Sequence, residues 1–287
     1  MCWKMYGRFF CMNKKRHVLL LVILSTMVGS LCYAQNGSNG NSSRKFKKYK
    51  TKEAKFDAAK HFYDKGMYLT AAELFEQIYP LYMGSGRGDS ILFLFASCYY
   101  QNGDYLIAAF HFNDFTKKYP FSPRTEEAAF LSAKSYFHNI PDYNLDQTDA
   151  LYAKESLESF MEYYPKSTHT NECNAMLDTI RNQLAHKAYN IAFMYYNTGQ
   201  YKAARIAINN LLKDYPNTDY CEKALYTLVK NNYEYALNSV AEKQIERFQE
   251  TIDSHNKLAA KYPDSEYLAE TRKIAEEATQ KRDKIIK

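Results

Sequence analysis

The stretch that most constrains the fold is residues 186–218, HKAYNIAFMYYNTGQYKAARIAINNLLKDYPNT. One face of a first helix is marked by residues at helical spacing, namely Ala188, Ile191, Ala192 and Tyr195. A second helix has the same kind of face, at Tyr201, Ala204, Ile208 and Leu211. Gly199 supplies the positive φ that a tight turn favours, and Pro216 ends the second helix because it has no N–H to donate. The small residues Ala192 and Ala204 are expected where the two helices cross closely. One such hairpin cannot bury its own apolar face, so the chain should contain others stacked against it.

A recurring dipeptide shows where the other hairpins lie. Tyr-Pro occurs at 79–80, 119–120, 164–165, 215–216 and 262–263, and four occurrences continue as YP-x-Ser or YP-x-Thr. We expect the proline to stop the second helix of each unit and the hydroxyl to cap the next helix. This is the pattern of the tetratricopeptide (TPR) repeat. The sequence therefore predicts an all-α fold, a right-handed α-solenoid of about five TPR-like helix-turn-helix repeats with a C-terminal capping helix.

The repeats divide residues 53–287 as follows: 53–82, 89–122, 124–167, 184–218 and 219–265, with the cap at 266–287. Two repeats are longer than the TPR template, which has about 34 residues. The third contains an additional loop, Asn139 to Thr148, and the fifth contains about nine additional residues after Tyr233. Residues 35–52 are expected to form a flexible linker.

The first 34 residues have the composition of an export signal. Lys14, Lys15 and Arg16 precede the apolar run VLLLVIL, and small residues follow it. The run is too short for a membrane-spanning helix, which needs about 20 residues. We favour Met12 as the true start, because MNKKRHVLLL is already a compact signal opening.

Two cleavage sites compete in this signal. Cys32 follows the apolar run as the acylated cysteine of a lipoprotein would, but Leu31 before it is larger than the lipoprotein peptidase prefers. Cleavage after Ala34 is the alternative, since Cys32 and Ala34 are small residues at the positions that an ordinary signal peptidase reads.

The positive charge of the chain belongs mainly to this signal. The formal net charge is +6, and residues 1–34 contain five basic residues and no acidic ones, so the mature chain is close to neutral. Nucleic-acid binding consequently has no electrostatic support.

No pattern of catalytic or metal-binding residues is present. The seven histidines are scattered through the chain, with no HExxH, and there is no GxSxG, P-loop or GxGxxG. The sequence therefore predicts a protein that is not an enzyme and has no cofactor.

Tyrosine is abundant, at 27 residues, and most of these occupy repeat positions that are expected to be buried. Residues at positions that the repeat is not expected to bury are candidates for partner contacts, because tyrosine and arginine are favoured at protein interfaces. They are Tyr82, Tyr143, Tyr189, Lys202 and Arg205.

Three segments carry a resemblance to a known family: residues 103–123, GDYLIAAFHFNDFTKKYPFSP; residues 144–167, with the loop ending in LDQ; and residues 236–268, with the long fifth-repeat insertion. Together with the export signal, they resemble the BamD family of outer membrane assembly lipoproteins, in the form found in Bacteroidetes-type bacteria. The resemblance extends over nearly all of residues 52–280.

This resemblance implies a non-catalytic scaffold subunit of the β-barrel assembly (BAM) complex, at the periplasmic face of the outer membrane. Its C-terminal repeats would dock on a POTRA domain of a BamA-like barrel protein, and its N-terminal repeats would bind unfolded outer-membrane proteins for folding and insertion. Other accessory assembly subunits are further partners under this reading. The family is anchored through a lipidated cysteine, which favours acylation of Cys32. The alternative function is a periplasmic TPR adaptor for cell-wall or division complexes.

Overall fold

The structure is a computed structural model that describes Phe46 and residues 48–287. All regular secondary structure in these residues is α-helical, which confirms the predicted all-α class of TPR-like helical hairpins. The export signal, Cys32 and most of the linker lie outside the described residues. The helices are α1 (Lys52–Asp64), α2 (Tyr68–Tyr82), α3 (Gly88–Asn102), α4 (Tyr105–Lys118), α5 (Thr125–His138), α6 (Thr148–Tyr163), α7 (Thr170–Asn197), α8 (Tyr201–Asp214), α9 (Tyr220–Leu237), α10 (Ala241–Lys261) and α11 (Leu268–Ile286).

The helices form two compact units, divided after Gly103. In the first unit α2 packs against both α1 and α3, and its core includes the fully buried Phe75 and Ile78. In the second unit each helix from α4 to α11 packs against the next one, and α9 also contacts α7 and α11. In a stack of helical hairpins, a helix packs against the next helix and also against the one after it. Contacts of this kind allow the hairpins to bury a continuous core.

Four of the five Tyr-Pro pairs end a helix, as predicted. The tyrosine N–H still donates to the carbonyl four residues earlier, at 2.8 to 2.9 Å, and the helices α4, α6, α8 and α10 stop at the preceding residue. Each of these four tyrosines has φ between −125° and −132°, since the helical region is disfavoured for a residue that precedes proline.

The prediction was wrong at Pro80, which lies inside α2 two residues before its end. The Tyr82 side chain is only 5% exposed, and the Lys52 ammonium lies 4.7 Å from its ring centroid. Packing of this last turn offsets the backbone hydrogen bond that proline cannot make.

The hydroxyl after Tyr-Pro caps a tight turn that leads into the next helix. Oγ of Ser122, Ser167 and Ser265 each accepts the N–H two residues later, at 3.2 to 3.3 Å. The following α-helices begin three residues after these serines, and their N-cap residues form no side-chain cap hydrogen bond, so the predicted cap of the helix itself was wrong. Thr218 differs, because its hydroxyl donates to the Tyr215 carbonyl.

Helix α7 is twice the length that the repeat template allows, and it begins at Thr170, well before His186. Its first half contributes Met176, Leu177 and Ile180 to a core cluster with α5 and α6. Its second half contributes Ala192 to the next cluster, with α8 and α9. Residues 170–185 contain no glycine or proline, so one uninterrupted helix joins the two cores.

The buried faces of the α7–α8 hairpin largely follow the predicted spacing. Ala192, Ala204 and Ile208 are fully buried. Ile191 departs from the prediction, since it is 42% exposed. It is adjacent to Ala192 and therefore lies about 100° away around the helix, outside the narrow stripe that α8 and α9 cover.

The two insertions take different forms. The residues between α5 and α6 form the expected loop, with α6 starting at Thr148. The extra residues of the fifth repeat instead lengthen its helices, because α9 has 18 residues and α10 has 21. No helix in the described part of the chain has the length and apolar character required to cross a bilayer.

Candidate interaction surface

The second unit carries a continuous series of ring contacts, which we call the aromatic row. It consists of Tyr143, His186, Tyr220, Tyr189, Phe193, Tyr196, Tyr201 and Tyr235. Neighbouring ring centroids are 3.6 Å apart at the Tyr143–His186 end and 6.5 Å apart at the Tyr201–Tyr235 end. These separations are those of stacked and tilted aromatic pairs.

Helix periodicity explains why the rings align. His186, Tyr189, Phe193 and Tyr196 recur at intervals of three and four residues, so they form one stripe along α7. Tyr220 and Tyr201 are the first residues of α9 and α8 and meet this stripe from the neighbouring helices. The row therefore lies beside the face of α7 that carries Ala192.

The rings are only partly covered by the protein. Phe193 is 39% exposed, and Met194 on the next position is 52% exposed. The remaining tyrosines of the row are half-buried, apart from Tyr143 in the loop, which is exposed. Half-exposed tyrosines and methionines are the side chains that protein interfaces favour, because they offer large contact areas at small entropic cost.

The row itself carries no charge near neutral pH. Burial raises the pKa of Tyr196 and Tyr220 above the ordinary phenol value. Burial, assisted by the nearby Lys223, lowers the pKa of His186, so its imidazole is neutral. Contacts along the row are consequently apolar and aromatic, and charged side chains lie beside it, among them Lys230 and Glu234 near Tyr196.

The end at Tyr235 is basic. The Arg247 guanidinium lies 3.7 Å from the Tyr235 ring centroid, and that of Arg205 lies 5.5 Å from it. Arg205 also forms an ion pair with Glu250, and Arg247 donates a hydrogen bond to Ser239. These contacts hold both arginines against the ring.

The end of the row at Tyr143 lies in the loop between α5 and α6. Side chains of α7 hold this loop in place through hydrogen bonds. The Lys187 ammonium donates to the Leu145 carbonyl at 2.6 Å, and Gln183 donates to the Pro141 carbonyl at 2.5 Å. Gln147, buried at the end of the loop, donates to the Asp142 carbonyl at 2.8 Å. The loop therefore has a defined conformation despite having no helix of its own.

The structure brings together three of the five candidate contact residues. Tyr143 and Tyr189 belong to the aromatic row, and Arg205 packs on its last ring. Lys202 is exposed on α8, one turn before Arg205. Tyr82 belongs to the first unit and is buried, so it does not present its ring to a partner in this structure.

Sequence reasoning missed His186, Phe193, Tyr220 and Arg247. His186 and Phe193 could have been found from the aromatic stripe on the face of α7 next to the template face, whereas Tyr220 meets that stripe from the start of α9. Arg247 gives no local signal, because its contact with Tyr235 is made between two helices. Among the described residues no group of three or more histidine, cysteine, aspartate or glutamate side chains could hold a metal ion.

Comparisons with known proteins give one family. The model of the YfiO family, described as outer membrane lipoprotein, matches residues 48–248. No curated protein matches the chain.

Among solved structures, the chain is similar to a Podosopora anserina putative kinesin light chain with nearly identical TPR-like repeats. The identity is 15%, the coverage is 74% of this chain and 97% of that chain, and the TM-score is 0.31. A point-substituted variant of that protein gives 16% identity, coverage of 74% and 96%, and the same TM-score of 0.31.

Proposed function

This chain belongs to the YfiO family of outer membrane lipoproteins, and from that premise we propose that it is a non-catalytic scaffold subunit of the outer-membrane β-barrel assembly machinery. Membership of this family indicates the cell envelope as its location. The finer assignment, to the periplasmic face of the outer membrane through a lipid on Cys32, is part of the proposal. The single observation that carries it is the family match, which runs from the start of the helical region into α10.

We assign the docking of the barrel subunit to the aromatic row. In this proposal a POTRA domain of a BamA-like protein packs on Phe193, Met194 and the neighbouring rings of the second unit. The support is the half-exposed apolar surface between two charged ends, which is the composition of an interface core with a polar rim. Other accessory subunits of the machinery would find separate surfaces.

The first unit is proposed to bind extended segments of unfolded outer-membrane proteins. Four large apolar side chains on or next to α2 are exposed in it: Met67, Leu69, Leu81 and Met83. Flexible methionine and leucine surfaces suit partners of varied sequence, because they can repack around different side chains.

The test is an affinity pull-down of the protein with its native signal from detergent-solubilised envelopes, read by mass spectrometry. We expect a POTRA-containing barrel protein as the main partner. Phe193→Ala combined with Met194→Ala should lower its recovery at least about tenfold, since loss of a central apolar contact costs roughly 1.4 kcal/mol or more.

The matched control is Leu151→Ala with Tyr152→Ala, an adjacent pair on α6 outside the row. Both control residues are 55% exposed, so the control removes comparable exposed apolar surface. Equal loss in the two double variants would contradict docking on the aromatic row. Recovery of cell-wall or division proteins without a barrel subunit would replace the assembly function with the adaptor alternative.

Charge reversal tests the basic end separately. Lys202→Glu is the easier variant to interpret, because Arg205→Glu would also break the ion pair between Arg205 and Glu250. Unchanged partner recovery after reversal of both residues would remove them from the proposed contact surface.

A further inference from the structure

The loop end of the aromatic row contains a pocket of 360 Å³. Its lining includes Asp142, Tyr143, Gln183, His186, Asp219 and Tyr220, which come from the loop, from α7 and from the start of α9. This volume is near the lower limit for ligand pockets, about 300 Å³, so the pocket suits one side chain better than a larger molecule.

The walls of the pocket are held in place before any ligand enters. His186 is stacked between Tyr143 and Tyr220, with ring centroids 3.6 Å and 4.6 Å away. Gln183 donates both to the Pro141 carbonyl and to Oε1 of Gln147, which ties the loop to α7. A ligand would therefore lose little affinity to ordering of the loop.

Two carboxylates are available at this pocket. Asp142 and Asp219 are both exposed, and neither side chain has an ion pair or a hydrogen bond in the described part of the chain. Asp219 uses its backbone N–H, which donates to Asn182 at 3.1 Å. Of the nearby cations, Lys187 is engaged by the loop, and Lys223 is exposed on α9.

We propose that this pocket binds an arginine side chain of a partner polypeptide. The guanidinium would stack on the Tyr143 or Tyr220 ring and donate to the carboxylates of Asp142 and Asp219. Arginine fits better than lysine because its planar group can stack on a ring and pair with a carboxylate at the same time.

The same chemistry is already present at the other end of the row, where the Arg247 guanidinium packs on Tyr235. The inference rests on the proposed function only in requiring that a polypeptide docks along this row. The arginine would fix the register of that partner, while the aromatic contacts supply most of the buried area.

The experiment uses the full chain and three peptides, Ac-Gly-Arg-Gly-NH₂ and its lysine and citrulline analogues. Citrulline has the shape of arginine without its charge. Binding is followed through the ¹H–¹³C signals of the His186 ring, which His186→Gln assigns. We expect the arginine peptide to shift these signals with a dissociation constant on the order of millimolar, since only one side chain is anchored. The citrulline peptide should bind at least about tenfold more weakly, and the lysine peptide should lie between the two.

Two sets of variants locate the site. Asp142→Asn with Asp219→Asn keeps the pocket shape and the cap position of α9 and should reduce arginine binding to the citrulline level. Asp214→Asn with Asp264→Asn makes the same change in net charge at exposed positions outside the pocket and should leave binding unchanged. Lys223→Gln should strengthen binding, because it removes a competing positive charge.

Three results would overturn the inference: equal shifts from arginine and citrulline, retained binding after loss of both carboxylates, or no shift of His186 by the arginine peptide. None of these depends on the assembly machinery being present. If the peptide experiment fails and the pull-down succeeds, only the arginine pocket is contradicted. If the arginine peptide binds as expected and the pull-down recovers no barrel protein, only the assigned partner is contradicted.

Discussion

Ala192 and Ala204 show how strongly single residues constrain the α7–α8 hairpin. Both are fully buried, and Ala192 belongs to a cluster with Ile208 and Leu211 of α8 and with residues of α9. A methyl group at these positions lets the two helices approach closely, so there is no unoccupied volume for a longer side chain.

We therefore expect Ala192→Leu to lower the free energy of unfolding by about 1–3 kcal/mol, the usual cost of overpacking a core. Urea denaturation followed by circular dichroism measures this change. Ala260→Leu is the matched control, since Ala260 is exposed on α10 and should change stability little. A stable Ala192→Leu variant would show that the hairpin crossing is looser than the structure indicates.

Between elements, α10 and α11 are joined by a titratable contact. His255 Nδ1 and Thr271 Oγ1 are 3.0 Å apart, and Thr271 is fully buried. Burial lowers the pKa of His255, and the neighbouring Arg272 lowers it further, although Glu276 opposes them. The folded chain therefore favours the neutral imidazole at this contact.

This direction sets the expected pH dependence. The unfolded histidine takes up a proton near pH 6.5, whereas folded His255 resists until lower pH, so unfolding becomes more favourable as pH falls through that window. We expect a lower urea midpoint at about pH 5.5 than at about pH 7.5, and a smaller difference in His255→Gln.

Some pH dependence should remain in that variant, because burial also lowers the pKa of His111, His138 and His186. The control is His61→Gln, which makes the same substitution at an exposed position on α1, far from the α10–α11 contact in sequence. An identical pH dependence in wild type and His255→Gln would exclude the α10–α11 contact as its source.

At the scale of the whole molecule, the proposed membrane anchor is a lipid on Cys32, which lies outside the described residues. No described helix can span a bilayer. A lipid on Cys32 would supply the anchor that the family description, outer membrane lipoprotein, implies.

We expect the mature protein to begin at an acylated Cys32, which intact-mass spectrometry of the purified envelope protein would show. Cys32→Ser should release the protein from outer-membrane vesicles. Cys11→Ser, which precedes the favoured start Met12, should leave it attached. A mature N-terminus at Gln35 would establish ordinary signal cleavage instead.

The sequence by itself determined the helical class and most helix ends. Glycine permits a positive φ and proline disfavours a helical residue before it, so the φ of 73° at Gly199 and the helix end at Tyr215 follow from local preferences. Apolar spacing likewise identified Ala192, Ala204 and Ile208 as buried, because helix periodicity requires no knowledge of the partner.

Only the tertiary structure decided which residues meet. Pro80 remains helical because Tyr82 is buried, and α7 continues through two cores because helices on both sides cover it. Tyr143 and Tyr189 were candidates from the sequence, but their connection through His186 and Tyr220 depends on a loop, α7 and α9 coming together. Contacts between residues on different helices leave no periodic trace in the sequence, since each helix satisfies its own pattern independently of its neighbours.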